Sequence, residues 1–169
     1  MGFTFTVRSK NVDEDFPSHM PLTEVPVYLA QKKAAVFAGE ISDEIVIAAD
    51  TVVIVEGQIL NKPQDEQEAF DMLSLLSGRK HEVITGVTIF SQEQQATFSD
   101  LTEVYFRHLS EEEIWFYIHT YKPFDKAGAY GAQEWMGMIG VEKIAGSYFN
   151  VMGLPVHKVY EALKSWQNA

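Results

Sequence analysis

The stretch Ala48-Ala49-Asp50-Thr51-Val52-Val53-Ile54-Val55-Glu56-Gly57-Gln58-Ile59-Leu60-Asn61-Lys62-Pro63 decides how this chain is read. An apolar run over residues 45–55 is interrupted once, by Asp50-Thr51. A strand that reads as buried should not carry a carboxylate at its middle unless something compensates for it. Glu56-Gly57 turns the chain back, and Lys62 follows at the return. One acid and one base thus arrive at the same end of a small hairpin. Such an arrangement suits a metal-bound phosphate.

Working outward, the chain has 169 residues, of which 46% are apolar and 22% charged. That is ordinary for one globular domain, spanning residues 1–169, which should bury roughly 70% of its unfolded surface. No apolar run is long enough for a membrane span, and the first residues lack a signal-peptide core. There are no cysteines, which excludes disulfides, thiolate catalysis and zinc–thiolate sites and fits a cytoplasmic protein. The net charge of −11 argues against nucleic acid as a partner. Small phosphate ligands stay open, given local lysines and a divalent cation.

Strands and helices intersperse without repeats or linkers, which predicts an α/β unit. Residues 3–7 alternate as a strand does. Thr23 is a candidate cap for a helix to about Ala38 that buries Val25, Leu29, Val36 and Phe37, with Gly39 as its stop. Asp65 is placed to cap a helix carrying Ala69, Phe70, Met72, Leu73 and Leu76. Residues 82–90 and 98–108 read as a hairpin around the polar turn 91–95. Ser110-Glu111-Glu112-Glu113 fits a capping box, and Lys122-Pro123 closes the helix that it opens. Residues 124–154 are glycine-rich, as backbone near a ligand often is. Pro155 then begins a terminal helix with Val156, Val159, Tyr160, Leu163 and Trp166 inward.

Asp50 has two readings: a strand-end carboxylate bonded to a neighbouring loop, or a metal ligand or base that activates water. Lys62 is a surface lysine or, beside the hairpin end, a phosphate partner. Of Lys32 and Lys33, one should face solvent and the other can point inward. Glu14 lies in an acidic loop, normally a solvated face. Asp125-Lys126-Ala127-Gly128-Ala129-Tyr130-Gly131-Ala132-Gln133 concentrates polar groups among small residues, and the Gln133 amide is able to read a base edge. His19, His81, His108, His119 and His157 show no metal-ligand spacing. No Walker loop, G-x-G-x-x-G or G-x-S-x-G motif is present. Trp115 and Trp135 are core residues or, in a homodimer, interface residues, and the core is the commoner fate.

Taken together and in order, Ala49-Asp50-Thr51-Val52-Val53, Asn61-Lys62-Pro63, Leu76-Ser77-Gly78-Arg79, Thr85-Gly86-Val87, the 125–133 segment and Gly146-Ser147-Tyr148-Phe149-Asn150-Val151-Met152-Gly153-Leu154-Pro155 resemble the Maf family of nucleoside triphosphate pyrophosphatases. The resemblance covers nearly the whole chain. It implies an inosine-triphosphatase-like α/β fold: a twisted mixed sheet with flanking helices, in two lobes around a cleft. It implies metal-assisted hydrolysis of a nucleoside triphosphate to the monophosphate and pyrophosphate. Asp50 resembles the family's proton acceptor. Glu14, Lys33 and Lys62 match site positions, with Glu14 and Asp50 on the metal side and Lys33, Lys62 and Lys126 on the phosphates. Mg²⁺ or Mn²⁺ suits such oxygen ligands. Thr51 and Gln133 match positions that tune substrate choice, and the Asp-Thr pair with the later loop resembles the branch acting on dTTP and UTP. The alternatives are the branch preferring 7-methyl-GTP or other purine nucleotides, and a non-catalytic nucleotide-binding regulator of septum formation and cell division. The family also opens with a strand, a Ser-x-Ser-Pro-Arg-Arg loop and a helix. This sequence begins at Met1-Gly2-Phe3, near the second strand, and the expectation is a preceding segment carrying those arginines, the alternative being a truncated and weakened protein.

Overall fold

A computed structural model describes residues 2–167. Helix α1 (Val25–Ala35) is followed by strands β1 (Val46–Val55) and β2 (Gln58–Leu60), helix α2 (Glu66–Leu76), strands β3 (Lys80–Phe90) and β4 (Gln95–Phe106), and helix α3 (Glu111–Tyr121). A short 3₁₀ turn (Ala127–Ala129) leads to α4 (Trp135–Gly140), β5 (Val141–Ala145), α5 (Tyr148–Val151) and α6 (Val156–Gln167). The five strands form one sheet in the order β2-β1-β3-β4-β5.

Every pairing in this sheet is antiparallel, which narrows the expected mixed sheet. The reason lies in the connections. The helical crossover through α2 joins β2 and β3, which run the same way, but β1 is inserted between them. The β1–β2 turn holds Glu56 and Gly57 at φ 50° and 76°, the pair of left-handed residues that a type I′ two-residue hairpin requires. The β3–β4 hairpin turns at Ser91, whose N–H donates to the Gln94 carbonyl at 2.9 Å.

Local signals end the helices where the chemistry suggests. The Asp65 side chain accepts from the Glu68 N–H, and Ser110 and Glu113 cap each other reciprocally. Lys122 stops α3 in a left-handed conformation ahead of Pro123. Three expectations fail. Residues 3–7 form no strand; Phe5 and Val7 stand exposed, because alternation without a pairing edge gives no ladder. The N-cap of α1 is Glu24 rather than Thr23, and the helix ends at Ala35, before Val36, Phe37 and Gly39. Tyr160 on α6 is exposed, while Val159 and Leu163 are buried.

Strand alternation sorts the core onto two faces. Val53, Val55, Val83, Val104 and Phe106 pack with α2, α3 and α4. Val87 and Ile89 meet Val159 and Leu163 of α6 on the same face. Val52, Ile54 and Ile84 pack on the other face with Val25 and Leu29 of α1. Trp115 stacks on Phe70 and Trp135 packs on Phe116, both against the larger core cluster. Helix α1 approaches β3 closely at Gly86, where a Cβ would lie 2.3 Å from the Pro26 carbonyl. Gly86 is also the residue opposite Asp50 in the β1–β3 register. Only glycine there lets the helix lie across the strand beside the carboxylate. Among the described residues no helix is long and apolar enough to cross a membrane.

Candidate active site

β2 covers only Val53, Ile54 and Val55 of β1. Beyond it, Asp50 and Thr51 sit on opposite faces of the strand, as neighbours must. Both nevertheless reach one cavity of about 270 Å³ that opens beside this part of β1. Lys33 from α1, Lys62 after β2, and Lys126 and Gln133 from the loop before α4 line the same cavity. Asp125, Tyr130 and Gly153 are also in its wall.

The cationic side is organised around Lys33. Its Nζ lies 2.5 Å from Asp50 Oδ1 and 2.8 Å from Glu14 Oε1. Glu14 does not line the cavity itself. It is tied to the rim through Lys33 and through Lys62, 3.5 Å from its other oxygen. The Asp50 side chain is 10% exposed, and burial pushes its carboxyl above the ordinary carboxylate value, with Lys33 pulling it partly back. Burial alone would lower Lys33, but its bonds to Asp50 and Glu14 outweigh that and hold it above the usual lysine value. The Lys33 ammonium beside Glu14 holds that carboxyl below its usual range. The geometry is that of two carboxyl groups sharing one lysine nitrogen.

Lys126 Nζ is paired with Asp125 Oδ1 at 2.7 Å and Glu134 Oε1 at 3.0 Å. On the opposite wall, the hydroxyls of Thr51 and Thr85 lie 2.8 Å apart, and Thr85 donates to the Asn150 carbonyl at 3.0 Å. Buried Asn150 in turn donates to Val83 and Thr102, which anchors α5 and, after it, Gly153 beside Thr51. Tyr130 meets the buried His81 Nε2 at 2.7 Å.

Of the residues singled out in the sequence, Lys33, Asp50, Thr51, Lys62, Lys126 and Gln133 converge on the cavity, with Glu14 one ion pair away. Lys32 instead bonds the Asp15 carbonyl. Sequence reasoning missed the anchoring of Thr85 by Asn150, which joins segments far apart in the chain, and the ion pair from Lys126 to Glu134, which depends on how the intervening loop folds back.

Among the described residues no three His, Asp or Glu side chains gather where they could hold a metal ion. The two carboxylates that converge are Glu14 and Asp50. An ammonium bridging two carboxylates occupies the kind of position a cation takes. Two carboxylates suit Mg²⁺, which is commonly held by one or two of them together with substrate phosphates.

A family model described as "Maf-like protein" matches residues 1–166. A Cytophaga hutchinsonii protein named dTTP/UTP pyrophosphatase is 48% identical over 167 residues, covering 99% of this chain and 77% of that protein. Proteins of the same name are 47% identical in Bacteroides fragilis, covering 97% of this chain and 86% of that protein, and 49% identical in Porphyromonas gingivalis, covering 92% and 80%.

Proposed function

The chain belongs to the Maf family, and from that premise we propose that it hydrolyses dTTP and UTP to the monophosphate and pyrophosphate. The observation that carries the reading is the meeting of three lysines and one buried carboxylate in a single cavity, with the Gln133 amide and the Thr51 hydroxyl alongside.

In this reading Asp50 takes the proton of the attacking water. Its burial suits it to the task, because a carboxyl raised above its ordinary value holds a proton more strongly. Water oxygen bonds to phosphorus at the α–β linkage, that linkage breaks, and pyrophosphate leaves. Lys33, Lys62 and Lys126 neutralise the phosphate oxygens as charge builds on the leaving group. A divalent cation held by Glu14 and Asp50 would add further charge stabilisation there. Gln133 and Thr51 read the base, with pyrimidines favoured.

A panel of canonical and methylated triphosphates, assayed for pyrophosphate release with and without Mg²⁺ or Mn²⁺, tests the substrate. dTTP and UTP should turn over fastest, and only with metal. Best turnover of a purine nucleotide would refute the pyrimidine reading, and nucleotide binding without product would refute catalysis. Asp50→Asn should lower kcat by about 10²–10⁴-fold with the fold intact. Wild-type rates in that variant would remove Asp50 from its role.

A further inference from the structure

Lys126 is gripped from two sides that differ in character. Asp125 is its neighbour in sequence, and the Asp125 side chain is 78% exposed. Glu134 is 22% exposed and is itself held from behind. The hydroxyl of Tyr117, a residue of α3 with no solvent exposure, donates to Glu134 Oε2 and accepts from the Gly131 N–H at 3.2 Å. The Gly131 carbonyl accepts from the Glu134 N–H at 3.0 Å. Gly131 lies directly under this bridge, where a Cβ would come within 3.0 Å of Glu134 Cδ and 3.1 Å of Lys126 Cε. Neither Tyr117 nor Glu134 lines the cavity, yet Lys126, Gly131 and Gln133 do.

We propose that Glu134 and Tyr117 are positioning residues, which hold the Lys126 ammonium and the 131–133 backbone at the cavity wall, and that Asp125 is the partner a phosphate displaces. The inference rests on the cavity taking a polyphosphate. The physical argument is one of unequal exchange. A solvated carboxylate such as Asp125 returns to water at little cost, so a phosphate oxygen can replace it. Glu134 has a hydrogen bond from a buried phenol and little access to water, so its release would strand buried groups. Lys126 therefore keeps one fixed anion behind it and presents its remaining N–H groups forward. Without Glu134 the ammonium would fall back on Asp125, the group that competes with the substrate.

The test uses the full chain, with steady-state kinetics on dTTP and calorimetric binding of inorganic pyrophosphate. Glu134→Gln keeps an acceptor for Tyr117 but loses the charge. It should raise KM for dTTP and weaken pyrophosphate binding together, roughly ten- to a hundredfold, with a smaller change in kcat. Tyr117→Phe should move both constants in the same direction by less. Asp125→Asn, at an exposed side chain, should move them the other way, and it keeps the claim testable where either of the first two variants fails to fold. In a Lys126→Met background the effect of Glu134→Gln should vanish, because the residue acts through that ammonium. An equal effect in that background would make Glu134 merely structural and overturn the inference. So would unchanged constants in Glu134→Gln, or weaker binding in Asp125→Asn. A wild type that neither hydrolyses dTTP nor binds pyrophosphate overturns the reading of the cavity itself, and this inference with it.

Discussion

Replacing Gly86 by alanine should push α1 off the sheet and loosen Lys33 from Asp50. The added Cβ would lie 2.3 Å from the Pro26 carbonyl carbon and oxygen and 2.4 Å from the Val27 nitrogen, all of them backbone atoms. Ordinary contact begins at 3.4 Å, so the helix must retreat by about 1.1 Å. Lys33 lies two turns further along the same helix. If the helix moves as a body, the Lys33–Asp50 contact opens from 2.5 Å to about 3.6 Å, past hydrogen-bonding range. The retreat also loosens Val25 and Leu29 from Val52, Ile54 and Ile84. Overpacking of this kind costs about 1–3 kcal/mol, or a fall of roughly 2–12 °C in Tm for a chain of this size. Thermal melts and dTTP turnover should be measured beside Gly39→Ala, whose Cβ meets nothing within 4 Å. That control should stay within about 0.5 kcal/mol of wild type. Tm and kcat in Gly86→Ala equal to those of the control would refute the close-approach argument.

Two further outcomes are expected. His81 is held neutral by burial, which drives its pKa down to about 4. The unfolded chain protonates first as pH falls, so stability is fully present above about pH 6.5 and declines toward pH 4. Urea unfolding should show a loss of about 2 kcal/mol between pH 7.5 and 5 that His81→Asn lacks; equal losses in both proteins would refute it. Lys33→Met frees Glu14 and Asp50 from their shared ammonium. Electron paramagnetic resonance at pH 8 should then show tighter Mn²⁺ binding without nucleotide than in wild type, and weaker or equal binding would count against these two carboxylates as cation ligands.

The helix ends were readable because their causes are local. Asp65 caps a backbone N–H three residues on, and Ser110 and Glu113 need only each other. Asp50 stood out because a carboxylate in an apolar strand has no local justification. The inward choice between Lys32 and Lys33, and the part of Glu14, came from the order of motifs across the chain rather than from their own neighbourhoods. Residues 3–7 misled because alternation records a preference for a sheet, not the presence of a partner. Tyr117 and Glu134 gave no warning, since each is an ordinary residue until the fold sets one against the other.

By itself the sequence determined the hairpins, the capped helices, the misplaced acid and the family to which their order belongs. All of these depend on residues within a few positions of one another or on motifs in series. Tertiary structure alone decided that β1 would lie between β2 and β3, that α1 would cross Gly86 beside Asp50, and that Glu14 would reach Lys33 and Lys62. Those outcomes come from packing distant segments against one another, where close approach and burial set the energies and no single stretch of chain contains both partners.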